Sequence, residues 1–336
     1  MHAVQLTGPS FDALKRIELP EPPQPRPGLI IVSMKAASLN FADVAVITGN
    51  YPGVPFPIIP LADGAGEVVA VGEGVWQVRL GDRVITSPKS EWSAEAPAAE
   101  LASRMRGATI PGSLQQYADL SATSVVKAPD HLNWSELASL PIAAMTACRA
   151  LSMAAVGPSS TVVALGTGGV SINILQLAKT LGARVIVTSS SDEKLERARG
   201  LGADVLINYK TTPDWHEAVL AATDNQGADF ILDPVGGAGF QKTLAAARHG
   251  GYISLVGFLG GAGGDFDLLP VIFKEVRVQG SNGGSVADLS AAISVIDKHK
   301  IHPVVDRTFH LDELQSAYQM MMSGGHFGKI ALDLHW

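Results

Sequence analysis

The stretch that decides the fold is Thr161-Val-Val-Ala-Leu-Gly-Thr-Gly-Gly-Val-Ser171, followed by Ile172-Asn-Ile-Leu-Gln-Leu-Ala-Lys-Thr-Leu181. Val162 to Leu165 form the short apolar run of a buried parallel strand. Val170, Ile174, Leu177, Ala178 and Leu181 then recur at helical spacing, so the glycine-rich turn lies where strand becomes helix. This is the context in which a glycine pattern points to a nucleotide-binding βαβ unit. Gly166, Gly168 and Gly169 let backbone approach a pyrophosphate, with Thr167 and Val170 completing the turn, and the helix start supplies free N–H groups and a positive dipole end. Ser171 stands where the usual third glycine would be.

Outward from this turn, strands alternate with helices. Arg184–Thr188, Asp204–Asn208, Asp229–Asp233, Tyr252–Val256 and Val276–Gln279 read as further strands. Asp192–Arg199, Pro213–Ala222 and Phe240–Arg248 read as the helices between them. Six strands in this rhythm fit a complete doubly wound parallel sheet, which Val286–His299 closes as a last helix. Residues 300–336 add a short helix, Asp312–Met322, and a strand, Lys329–Leu334, and are expected to return to the first domain. That domain, residues 1–124, carries short β-rich runs (Ile30–Met34, Gly66–Val71, Asp82–Ile85) between proline-crowded connections, as in an antiparallel, barrel-like module. The segment from Ser87 to Gly112 has no clear period and is expected to be a mobile loop or a short helix. The domain boundaries are therefore placed at 1–124, 125–299 and 300–336, and the fold class is α/β.

Composition narrows the class of function. With 336 residues, 46% hydrophobic and 17% charged, the chain has enough apolar mass for about two globular domains. Its net charge of −7 and scattered Lys and Arg provide no electrostatic footprint for nucleic acid or an anionic membrane. The single cysteine, Cys148, excludes an internal disulfide framework and a Cys-rich metal site. The start, Met1-His-Ala-Val-Gln-Leu, lacks a signal-peptide pattern, and Leu137–Gly157 is broken by Pro141 and Arg149, so a cytoplasmic protein without a membrane span is expected.

The end of the second strand bears on cofactor flavour. An acidic residue there would bind the adenosine ribose 2′-OH and repel a 2′-phosphate, and Ser189 holds that place. Ser189, Ser190 and the cation of Lys194, flanked by Tyr209, suit a 2′-phosphate, so NADP(H) is favoured over NAD(H). The serines of the run Ser189-Ser-Ser191 also suit an N-cap for the helix starting at Asp192. Asp233-Pro-Val-Gly-Gly237 and Val256-Gly257-Phe258 end the fourth and fifth strands on the edge where such sheets bind ligands, and should border the nicotinamide half. In the first domain the polar candidates are Asn40-Phe-Ala-Asp43, Tyr51 and Asp63. Tyr51 has a phenolic proton for a substrate oxygen or carbon, although a turn tyrosine also has a purely structural reading. No Gly-x-Ser-x-Gly elbow, His-Glu-x-x-His or metal-spaced histidine pair occurs.

Taken together, Asn40-x-x-Asp43, Gly49-x-Tyr51-Pro52, Ala62-Asp-Gly-Ala-Gly66, Gly81-Asp-Arg-Val84, Gly166-Thr-Gly-Gly-Val170 and Gly325-His-Phe-Gly-Lys-Ile330 resemble the medium-chain dehydrogenase/reductase superfamily, most of all its zinc-free quinone oxidoreductase branch. The resemblance spans essentially the whole chain. It implies a GroES-like substrate domain made from both chain ends, a Rossmann domain between, and an active-site cleft where they meet. The zinc-dependent alcohol dehydrogenases of this superfamily hold a catalytic zinc with a Cys, a Gly-His-Glu motif and a later Cys or Asp. The matching positions here are Asn40, Ala62 with Asp63, and about Ile142, so the resemblance implies no zinc. It places Asn40 and Thr146 near the nicotinamide, Lys194 and Tyr209 near a 2′-phosphate, Lys329 near the pyrophosphate, and Tyr51 at the position of a proton donor in related enoyl reductases.

The expectation that follows is a zinc-independent NAD(P)H oxidoreductase passing hydride to a quinone or an α,β-unsaturated carbonyl. An alcohol dehydrogenase acting without zinc, and a non-catalytic NADPH-binding protein like some crystallin-type relatives, stay open as alternatives. Relatives are commonly homodimers joined through the last Rossmann strand, here Val276–Gly280.

Overall fold

The computed structural model describes residues 1–94 and 99–336, and its chain divides into two units, Met1–Met145 with Gly284–Trp336, and Thr146–Gly283. In the first unit β1 (His2–Leu6) and β2 (Leu14–Glu18) make a small hairpin sheet. The larger sheet is built on β3 (Leu29–Ser38), which pairs antiparallel with β4 (Asp63–Val71) on one edge and, over Leu29–Ser33, with β6 (Tyr117–Ser121) on the other. Strand β5 (Arg83–Thr86) follows β4, and β7 (Val125–Lys127) pairs with β5. Register shifts at Ile31/Val32 and Met34/Ala36 let one long strand serve several partners, as bulges do in strongly bent sheets.

The second unit holds β8 (Thr161–Leu165), β9 (Arg184–Ser189), β10 (Val205–Asn208), β11 (Ala228–Asp233), β12 (Ala247–Leu255) and β13 (Arg277–Gly280). They form one parallel sheet in the order β10-β9-β8-β11-β12-β13, the doubly wound order expected from the alternating pattern. Its core includes Val163, Leu165, Ile186, Ile207, Ile231 and Ile253, the mainly β-branched aliphatic filling of a sheet covered on both faces. The edge strand β13 is exposed along its length, and this is the strand on which the dimer expectation rests. Two more strands, β14 (Val305–His310) and β15 (Lys329–Asp333), lie beside β3 in the first unit, β15 antiparallel to it.

The helices are α1 (Phe41–Ile47), α2 (Ala99–Ser103), α3 (Trp134–Ala138), α4 (Pro141–Met153), α5 (Gly169–Thr180), α6 (Asp192–Gly200), α7 (Trp215–Ala222), α8 (Phe240–Ala246), α9 (Leu269–Phe273), α10 (Val286–His299) and α11 (Leu314–Ser323). The units differ from the boundaries expected at 124/125 and 299/300. Residues 125–145 stay with the first unit because β7 completes its sheet. Helix α10 joins the same unit, since Val286 and Ala287 donate backbone hydrogen bonds to Trp92 and Ser93 at 2.8 and 2.9 Å. Periodicity identifies a helix without saying which sheet it covers. The 87–112 segment, expected as a mobile loop or short helix, contains the short α2, is closed on itself by Arg106 N–H to the Pro88 carbonyl and is held to the 59–62 stretch by Gly112 N–H to the Ile59 carbonyl. Residues 95–98 of that expectation lie outside the described residues. No helix among the described residues is long and apolar enough to cross a membrane.

Candidate active site

Sheet register assembles the polar residues of the first unit. Ser38 on β3 is paired with Asp63 on β4 and with Ala331 on β15, so Lys329, two residues before Ala331, shares a sheet face with both. The Lys329 ammonium is 2.8 Å from the Leu39 carbonyl, 2.7 Å from Asn40 Oδ1 and 3.1 Å from Asp63 Oδ2. Asn40 Nδ2 donates to Asp63 Oδ2 at 2.9 Å, and the Ile142 backbone N–H donates to Asp63 Oδ1 at 3.1 Å. A lysine can only donate and a carboxylate can only accept, so these partners fix which way round the Asn40 amide lies. Asp63 and Lys329 are both buried, at 0% and 2% exposure.

Asp43 extends this network. It is the third residue of α1, where its Oδ2 accepts the Asn40 backbone N–H at 2.8 Å and its Oδ1 accepts the Ala62 N–H at 3.1 Å. The Asn-x-x-Asp spacing is a helix-capping signal, and it also delivers a second buried carboxylate. Burial, and then the neighbouring charge of Asp63, push the Asp43 carboxyl up to about 7, against the pull of its backbone donors and Lys329. Tyr51 lies outside the network. Its hydroxyl contacts Met105 Sδ at 3.7 Å, and burial, followed by the Asp43 charge, raises the phenol above its usual value and keeps it protonated.

In the second unit the glycine turn has the form that the sequence suggests. Gly166 takes φ +78°, a left-handed conformation, and its N–H reaches Thr188 Oγ1 at 3.2 Å. Gly168 is the N-cap of α5 with no side-chain cap, and a Cβ placed on it or on Gly166 would meet nothing within 4 Å. The start of α5 is thus an uncapped helix end under open space, which fits a dinucleotide pyrophosphate. Ser171 is buried and bonds the Leu165 carbonyl at 2.8 Å, so it ties the helix back to β8 where a third glycine would allow close packing.

The remaining expected residues divide. At the end of β9 Ser189 is buried and accepts the Ser191 N–H at 3.3 Å, Ser190 follows, and Tyr209 is exposed with its N–H on the Ser189 carbonyl. The N-cap of α6 is Ser191, the last of the three serines before Asp192, which accepts the Lys194 N–H as the capping reading of this stretch expects. Asp233 is buried and fully engaged in shaping its own turn. It accepts the Val235 and Gly236 N–H groups at 2.7 and 2.9 Å and the Thr243 hydroxyl at 2.7 Å. It therefore positions the 234–237 loop. Gly257 packs so close to the Pro234 carbonyl that a Cβ would sit 2.5 Å from it, and Phe258 beside it is half exposed. Thr146 is buried on α4. Lys329, expected at the pyrophosphate, donates within the first unit to Leu39, Asn40 and Asp63. Its position next to a carboxylate depends on strand register, which no local pattern reveals.

Two family models match the chain, an alcohol dehydrogenase GroES-like domain over residues 26–130 and a zinc-binding dehydrogenase over residues 169–298. A zinc-type alcohol dehydrogenase-like protein of Schizosaccharomyces pombe is 38% identical over 96% of both chains. An acryloyl-coenzyme A reductase of Metallosphaera sedula is 27% identical, covering 92% of this chain and 93% of its own. Among solved structures, an NAD-dependent alcohol dehydrogenase superposes with a TM-score of 0.89 at 30% identity over the whole of both chains.

Zinc in these descriptions can be tested against the residues. The positions that the resemblance matches to zinc ligands, Asn40, Ala62 with Asp63, and about Ile142, do come together, but around the Asp63 carboxylate, which is already paired with the Lys329 ammonium. Asp63 is the single carboxylate among them and already receives Asn40, Lys329 and the Ile142 N–H. Among the described residues no group of three or more His, Cys, Asp or Glu side chains could hold a metal ion. This donor set does not suit zinc. The two-unit fold, the open glycine turn and these relatives together make the chain a member of the medium-chain dehydrogenase/reductase superfamily, an oxidoreductase of the alcohol dehydrogenase-like kind.

Proposed function

We propose that the chain is a zinc-independent reductase that uses NADPH to reduce a quinone or an α,β-unsaturated carbonyl. The observation that carries this reading is the buried Lys329 ammonium among Asn40 and Asp63, at the positions where the zinc-dependent members of the family keep metal ligands. A conjugated acceptor is polarised by its own carbonyl and so needs less help from a metal than an alcohol does. The likeness to an acryloyl-coenzyme A reductase, whose name specifies a conjugated alkene, points the same way. The dinucleotide would supply the hydride. The α5 start would seat its pyrophosphate through backbone N–H groups. The end of β9 has Ser189 and Ser190 in place of a carboxylate, with Lys194 on the next helix, and would accept a 2′-phosphate. Tyr51, which holds its proton, would return it to the reduced substrate. The name of the NAD-dependent structural neighbour makes NADH the competing cofactor and an alcohol or simple carbonyl the competing substrate.

A single panel separates these readings. NADPH and NADH oxidation should be followed side by side with quinones, enones and aldehydes, in chelator-treated and zinc-supplemented protein, for the parent chain and Lys194→Ala. The expected result is quinone or enone turnover that chelation leaves unchanged, and a KM for NADPH that rises about tenfold in Lys194→Ala while the KM for NADH stays constant. Turnover of alcohols alone, restored only by zinc, would overturn the proposal.

A further inference from the structure

Two arginines stand two residues apart in the segment after α2, and their surroundings differ. Arg104 lies at the surface and pairs with Glu91 at 2.8 Å. Arg106 is buried, with 3% of its surface exposed, and its side chain makes one hydrogen bond, from Nη2 to the Gly112 carbonyl at 3.1 Å. Its Nε has no partner, and no carboxylate among the described residues pairs with it. A guanidinium offers five N–H donors in a planar fork, so most of its capacity is unused. Lys89 in the same segment repeats the pattern: it is 2% exposed and its ammonium bonds only the Ala102 carbonyl, at 2.7 Å. Burial lowers Arg106 to about 10 and Lys89 to about 8, which leaves both largely charged at neutral pH. Buried cations are ordinarily paired. Here no counter-charge is paired with either cation among the described residues.

The neighbours of Arg106 in the chain link it to the candidate active site of the first unit. Met105, before it, is the residue that the Tyr51 hydroxyl touches. Gly107, after it, has φ +74° and is pressed against Leu61 and Ala62, since a Cβ would lie 2.5 Å from the Leu61 carbonyl carbon and 2.7 Å from the Ala62 nitrogen. The residue after Ala62 is Asp63. Further along, Ser113 Oγ is 3.4 Å from the Ala62 carbonyl. The backbone that carries Arg106 is therefore fixed between the proposed proton donor and the strand that starts at Asp63.

We infer that Arg106 is the anchor for a carboxylate on the substrate, so that the acceptor is an α,β-unsaturated carbonyl compound that also bears a carboxylate. An arginine fork matches the two oxygens of a carboxylate, whereas a neutral quinone would leave it unsatisfied. The inference deepens the proposed reductase reading and rests on it for the identity of the reducible group. The anion site itself can be read without turnover.

The test has two parts. In the first, thermal unfolding of the parent protein and of Arg106→Met is followed with succinate, with inorganic phosphate and with chloride at equal ionic strength. Succinate should raise the Tm of the parent protein and leave that of Arg106→Met unmoved. In the second, NADPH oxidation is compared for 4-oxo-2-pentenoate and its neutral analogue 3-penten-2-one. Arg106→Met should raise the KM for the carboxylated enone by about 10- to 100-fold, the loss of hydrogen bonds to a charged group, and change kcat/KM for the neutral enone less than about twofold. Arg106→Lys, which keeps the charge and loses the fork, should recover part of the difference and serves as the readable variant if Arg106→Met fails to fold. Equal losses for both enones, or no Tm response of the parent protein to succinate, would overturn the inference. A response to phosphate alone would overturn the carboxylate assignment. If succinate binds through Arg106 and neither enone is reduced, the reductase reading fails while the anion site stands.

Discussion

The polar network around Asp63 in the first unit and the glycine turn before α5 in the second are the two candidate functional elements of the chain, yet they are built in opposite ways. The network gathers Asn40, Asp43, Asp63, Ile142 and Lys329 from across the first unit, and its donors and acceptors are matched to each other. The turn uses consecutive residues of the second unit, Gly166 to Val170, and leaves its backbone open. One arrangement spends its hydrogen bonds on holding itself, and the other keeps them for a ligand. Substitutions in the network should therefore be felt first in stability, and substitutions in the turn first in dinucleotide affinity.

Lys329→Met gives the largest expected effect. Removing one partner of a buried ion pair leaves the other charge uncompensated, which costs about 3–5 kcal/mol. Asp63 would keep the Asn40 and Ile142 donors but lose its cation, while Asn40 Oδ1 would lose its donor. Urea denaturation should show a lower midpoint of this size, with Asp63→Asn in the same chain recovering part of the loss in a double-mutant cycle. A change below about 0.5 kcal/mol, the range of an ordinary surface substitution, would mean that the network is not the structural element described.

Gly168→Val should behave in the converse way. At Gly168 φ is −78° and ψ −179°, a conformation any residue adopts, and a Cβ there meets nothing. Stability should stay within about 0.5 kcal/mol of the parent chain. The new side chain would nevertheless fill the space a pyrophosphate needs for close backbone approach. NADPH affinity, measured by nucleotide fluorescence, should fall about 100-fold, equivalent to about 2.7 kcal/mol. Unchanged affinity would remove the pyrophosphate role from this turn.

The same contrast explains what could be read from the sequence. The turn, the six-strand order and helices α5, α6 and α10 were legible because each depends on neighbours in the chain: an apolar run, glycines, a helical period, a cap. Asn40 and Asp63 were visible as polar residues in a glycine-rich, β-rich module. Their union with Lys329 was not, because it depends on the register of β15 against β3 and β3 against β4. Asp43 carried a signal, the three-residue spacing from Asn40, that reads equally as a plain helix cap. Arg106 and Lys89 carried none, since a lone cation in an aperiodic segment looks like a surface residue until its burial is known. Asp233 shows a further limit: the sequence places it at a strand end, and only the structure shows that its carboxylate accepts from Val235, Gly236 and Thr243 of its own loop.

Asp43 offers the finest test of the contrast, because its network should respond to pH and the turn should not. The carboxyl is raised from an ordinary value near 3.8 to about 7 in the folded chain, by burial first and by the charge of Asp63 second, with Lys329 and the Asn40 and Ala62 N–H groups opposing. A group whose folded pKa exceeds its unfolded value binds its proton more tightly when folded. Its contribution is thus fully present below pH 4 and is lost as pH rises toward 7. Through that window the loss approaches about 1.4 kcal/mol per pH unit for one proton, superimposed on the titration of the other carboxylates. Asp43→Asn removes the titrating proton while keeping the shape and an acceptor oxygen for the Asn40 or Ala62 N–H. The difference in unfolding free energy between the parent chain and Asp43→Asn should therefore change steadily in favour of the variant from pH 4.5 to pH 7 and level off above it. NADPH affinity at Gly166–Val170 should keep the same ratio between the two proteins throughout. A stability difference that is flat over this range would show that Asp43 is ionised in the folded protein, and that Lys329 offsets both carboxylates rather than Asp63 alone.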